Sequence, residues 1–114
     1  MNAIDELQLA GRLLTRAEEE FDEGNELNVK SLSRNIIGHA ASAVIVSYLG
    51  EDAELFEGLI QVMEHVSQRL WIEVLRLLEI LRQVDEEDTF TLINMAREAV
   101  EIASSLVLMT LGEG

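Results

Sequence analysis

The chain of 114 residues has no proline and no cysteine, and each absence removes a class of structure. Without proline, nothing in the sequence breaks a helix by removing an amide hydrogen and clashing with the preceding turn. Without cysteine there is no disulfide framework, no thiolate zinc site and no cysteine nucleophile. Aromatic residues make up only 4% of the chain, too few stacking surfaces for single-stranded nucleic acid. Positive charge is scarce as well. Eight bases face 22 acids, for a net charge of −14, and neither half of the chain is basic: residues 1–57 carry 12 acids against 4 bases, residues 58–114 carry 10 against 4. Such a field repels phosphate, so nucleic acid is not the expected partner. It would also suit a salty cytosol, or simply keep the protein in solution.

Long apolar runs are missing too. The longest stretch without formal charge, Asn35 to Gly50, falls short of the ~20 residues that span a bilayer, and it reads as a buried helix. The N-terminal Met1-Asn2-Ala3-Ile4-Asp5-Glu6 places acids where a secretory signal needs a basic start. A cytoplasmic location without membrane insertion is the expectation.

What is present is helical periodicity. Gly24, Gly50 and Gly112 fall where apolar patterns stop, the usual place for glycine just beyond a helix end. Segment one, about Ala3 to Glu23, lines up Leu7, Ala10, Leu14, Ala17 and Phe21, and its last turns are crowded with acids. Segment two, Asn28 to Leu49 with Asn28 as N-cap, aligns Val29, Leu32, Ile36, Ala40 and Ala43. Segment three, Asp52 to Val84, carries a stripe from Leu59 to Val84 and would be ~50 Å long against ~32 Å for the first. It must therefore bend near Ser67-Gln68-Arg69 or overhang its neighbours. Segment four starts at Asp88 or Thr89 and runs to Leu111. The chain is expected to form one domain over residues 1–114, an all-α, four-helix up-and-down antiparallel bundle whose third helix is the longest.

Two helix ends lose their polar face, Ala40 to Leu49 and Ile102 to Leu111. Helices apolar all round need cover, and a second copy is the expected cover. Ala41, Val44, Ile45, Tyr48, Leu106, Leu108 and Met109 are the residues assigned to that homodimer interface.

The side chains suited to chemistry are few. A di-metal bundle site needs glutamate three residues before each histidine, but Val62 and Ile36 occupy those positions relative to His65 and His39. The acid runs lack the calcium-loop pattern, and no phosphate-cradling glycine loop occurs, so neither metal nor cofactor is expected. Trp71 reads as core or interface filler. Arg34-Asn35-Ile36-Ile37-Gly38-His39 has the form R-x4-H, and the alanine-rich second helix ends in Tyr48-Leu49-Gly50. In these features and in its helical plan the chain resembles the HEPN superfamily. That resemblance implies a dimeric bundle and, in catalytic members, a metal-independent ribonuclease centre shared across the dimer. Arg34 would then bind or polarise phosphate and His39 would act as acid or base. Five residues at 100° each set the two side chains about 140° apart on a regular helix, so they converge only across a second subunit or a distorted helix.

The sequence thus reads as a non-catalytic interaction module, dimeric and HEPN-like, whose acidic face or apolar ends meet a partner protein, including a basic one. Two alternatives stay open. One is a HEPN-type ribonuclease or toxin–antitoxin component using Arg34 and His39; the other is a structural subunit of a larger assembly.

Overall fold

The computed structural model describes residues 1–85 and 88–112, which contain helices and no strand. Five α-helices are present: α1 (Ala3–Asp22), α2 (Glu26–Leu49), α3 (Leu55–Val62), α4 (Gln68–Gln83) and α5 (Thr89–Gly112), with a 3₁₀ turn, Met63–His65, after α3. The all-α class is as expected, but the helix count is five rather than four. No helix among the described residues is long and apolar enough to cross a membrane.

Local chemistry explains most of the boundaries. The Asn2 side chain accepts the Asp5 amide at 2.8 Å and caps α1. Gly24 and Gly50 both take positive φ, 79° and 83°, which glycine adopts without steric cost. Gly50 ends α2 with its amide donating to the Val46 carbonyl at 2.9 Å. α2 begins earlier than expected, because the Asn25 carbonyl, not that of Asn28, accepts its first helical bond from Val29. Asp88 accepts the Thr91 amide at 2.8 Å and caps α5. Glu86 and Glu87, which precede it in the sequence, lie outside the described residues.

The expected third segment is divided close to where a bend was expected, near Ser67-Gln68-Arg69. Val66 and Ser67 are extended, with ψ of 156° at each, so one long helix becomes α3 and α4. The Trp71 indole donates to the Met63 carbonyl at 2.9 Å, satisfying an acceptor freed at the end of the first piece. The length mismatch is thereby resolved by breaking the helix rather than by overhang.

The break lets α3 fold onto the second half of α2. A Cβ at Gly58 would lie 2.6 Å from Cδ1 and 2.9 Å from Cγ1 of Ile45, so only glycine permits this approach. α2 packs against all the other α-helices and becomes the centre of the core, with Ile36, Ile37 and Ile45 fully enclosed. This corrects the interface assignment. Ala41, Val44, Ile45 and Leu106 are fully buried within a single chain, and Tyr48, half-buried, donates its hydroxyl to the Leu106 carbonyl at 2.9 Å. Met109 is half-buried, and only Leu108 of the seven is exposed. The cover expected from a second copy is supplied by the chain's own helices.

α4 is tied to α5 by a fork in which Arg76 donates to both carboxylate oxygens of Glu98, each at 2.8 Å. The guanidinium hydrogen bonds, and then its charge, hold the Glu98 carboxyl below its usual 4.5. A lowered folded pKa contributes stability above the unfolded value that is lost as pH falls through the folded one. Glu98→Gln is therefore expected to destabilise by about 0.5 kcal/mol at neutral pH, a modest amount because solvent screens the half-exposed pair. Urea titrations should show this deficit shrinking as pH drops below 4.5 and closing once the wild-type carboxyl is protonated.

Candidate interaction surface

Arg34 and His39 sit on α2, and each is engaged by an acid on a different element. His39 Nδ1 lies 2.6 Å from Glu6 on α1, while Arg34 Nε lies 3.0 Å from Asp85 beyond α4. Within one chain the two are not brought together, in keeping with their helical separation. The pairs also differ in burial. The Glu6 side chain is 11% exposed, whereas those of Arg34 and Asp85 are 48% and 77% exposed. Removing His39 strands a buried carboxylate; removing Arg34 strands nothing. His39→Ala is expected to cost about 1–3 kcal/mol in thermal or urea unfolding, and Arg34→Ala under about 0.5 kcal/mol. A shared catalytic centre would instead make the two substitutions equivalent in an RNA-cleavage assay. His65, at the end of the 3₁₀ turn, is exposed.

The residues that stand out lie elsewhere. On α3, Phe56 and Ile60 are 41% and 56% exposed, and on α4, Trp71, Ile72 and Leu75 are 38%, 72% and 51% exposed. Spacings of three and four put each set on one helical face. Between them runs a shallow groove lined by Phe56, Leu75, Leu78, Glu79 and Arg82. The break at Val66 and Ser67 produces this surface, because each half buries its own stripe and leaves a second apolar row outside. That row could have been read from the residues themselves: Phe56, Ile60, Ile72 and Leu75 all lie off the stripe that runs from Leu59 to Val84.

Comparison with family models and with curated proteins gives no match to this chain. Its functional reading therefore rests on surface and charge. Taking ~200 Å² for a large apolar side chain, the exposed parts of the five α3 and α4 residues amount to roughly 500 Å². One side of a standard protein interface buries about 800 Å², some 60% of it apolar, which again is roughly 500 Å².

The electrostatics of this face differ from those of the whole. α4 carries Arg69, Arg76 and Arg82 against Glu73 and Glu79, and α3 adds Glu57, so the two helices together balance three bases against three acids in a chain of net charge −14. Two such chains repel less through a charge-balanced face than their net charge alone implies.

Proposed function

We propose that the chain is a non-catalytic interaction module of the cytoplasm, a HEPN-like helical bundle that pairs with a second copy of itself and presents its remaining surface to a partner protein. The observation that carries this reading is the apolar α3–α4 face, matched in area to half of an ordinary interface and set on two helices whose charges balance. It differs from the interface expected from sequence in position but not in kind. A bundle whose central helix is over-hydrophobic sheathes that helix with a short one, and the outside of the sheath remains to be covered.

The non-catalytic part of the reading is supported by the engagement of Arg34 and His39 with separate acids. Sedimentation velocity on the unmodified chain tests the proposal. A reversible monomer–dimer equilibrium at micromolar concentration is expected; a monomer at every accessible concentration would remove it.

A further inference from the structure

A second apolar feature lies at the first turn of α2. Phe21, near the end of α1, and Phe90, at the start of α5, place their rings 6.3 Å apart between centroids, tilted by 47°. With buried Val29 they line an open cleft of about 470 Å³, rimmed by Asn25, Glu26 and Asp88. Phe90 is 65% exposed and Phe21 36%. The cleft belongs to the opposite half of α2 from the α3 contact at Ile45.

Its surroundings are acidic to an unusual degree. Six acids occupy residues 18–26, around Phe21, and Asp85 and Asp88 come shortly before Phe90, together eight of the chain's 22. Part of this charge is matched: Glu18 pairs with Arg97, Asp85 pairs with Arg34, and Lys30 attracts Asp88. Glu19, Asp22, Glu23 and Glu26 have no ion pair among the described residues. The last turn of α1 carries no base, although its dipole favours a cation there. An anion at the start of α2 or α5 would meet Glu26 and Asp88.

We propose that this cleft holds a basic segment of a partner protein, with an arginine or lysine lying across the paired rings of Phe21 and Phe90 and its charge directed to the carboxylate rim. The fit is chemical on both counts. The aliphatic stem of such a side chain packs on apolar walls while its charged end reaches the rim, and aromatic faces attract the cation itself. An apolar neighbour in the segment covers Val29 and the remaining ring surface. This inference rests on reading the chain as a partner-binding module and is independent of its pairing with a second copy.

The test is binding of a fluorescein-labelled amphipathic helical peptide with arginines on one face and leucines on the other, measured by polarisation. Two companion peptides replace its arginines by glutamate or its leucines by serine. Saturable binding is expected for the first peptide, about fivefold or more weaker to Phe90→Ala, verified as folded by circular dichroism, and lost with the glutamate peptide. Chemical-shift changes should centre on Phe21, Val29 and Phe90.

Binding should persist with Ile72→Glu combined with Leu75→Glu, which separates this site from the dimer face. The proposal is overturned if the peptide does not bind or if Phe90→Ala binds like the wild type. It is also overturned if the serine peptide binds equally well, leaving charge alone as the cause, or if the α4 substitutions abolish binding, placing the peptide on that face.

Discussion

Charging the outer face of α4, by Ile72→Glu together with Leu75→Glu, is expected to convert the proposed dimer to a monomer while leaving the fold intact. Ile72 is 72% exposed and Leu75 51%, so neither holds up the monomer core, and substitutions at such positions usually change stability by under about 0.5 kcal/mol. In the dimer the same carboxylates would be driven into an apolar seam without partners. The cost of uncompensated buried charge is expected to exceed about 3 kcal/mol, a rise of roughly 100-fold or more in the dimer Kd. Sedimentation equilibrium measures the shift, and the helical circular dichroism signal should not change. A monomer that has also lost helix would instead mean that these side chains support the fold.

Gly58→Ala is expected to destabilise the protein although alanine is the better helix former. The new methyl would stand within 3.0 Å of two Ile45 carbons, Cδ1 and Cγ1, and Ile45 is fully enclosed. Cδ1 can swing away, but Cγ1 moves only with the whole side chain, into space filled by its neighbours. Overpacking of this kind costs about 1–3 kcal/mol, against roughly 1 kcal/mol gained from propensity, so the clash prevails where the core does not yield. Shortening the neighbour should relieve it. In urea titrations, Gly58→Ala combined with Ile45→Val should be more stable than the sum of the single changes implies, since Cδ1, the atom nearest the added methyl, is gone. Additive losses would show that α3 does not lie as close to α2 as described.

The ends of the helices were legible in the sequence because single residues mark them. Gly24 and Gly50 adopt the positive φ that their placement implied, and Asp88 caps α5 as its position before an apolar stripe suggested. The stripe residues Leu59, Val74, Leu77 and Leu81 are buried as expected. The division of the third segment was legible as a length mismatch, with a bend expected near Ser67-Gln68-Arg69, and it falls at Val66 and Ser67. Neither proline nor glycine marks Val66 and Ser67, and both halves aim their stripes at the same core, so periodicity runs through the break without a signal. Gly58 carried the missing information. A glycine inside an apolar helix has a cost, and here its return is the approach of α3 to Ile45.

Ala41, Val44 and Ile45 are apolar all round for the reason inferred, a need for cover, but the cover is intramolecular. The Arg34–His39 spacing, by contrast, led correctly to divergence within one chain, because helix geometry alone sets it.

The absence of native cysteine supplies the most direct test of the α3–α4 face, since a single introduced cysteine is unique in the chain. Leu75 lies at the middle of α4, and a two-fold axis crossing that helix face brings Leu75 beside its own counterpart. Disulfide formation demands Cα atoms within about 7 Å, so its rate reports that proximity. Under mild oxidation at a concentration where the chain is dimeric, Leu75→Cys should become a covalent dimer far faster than Leu108→Cys, which is exposed on α5 and not on α4. Equal rates, or faster linkage through Leu108→Cys, would contradict pairing through α4.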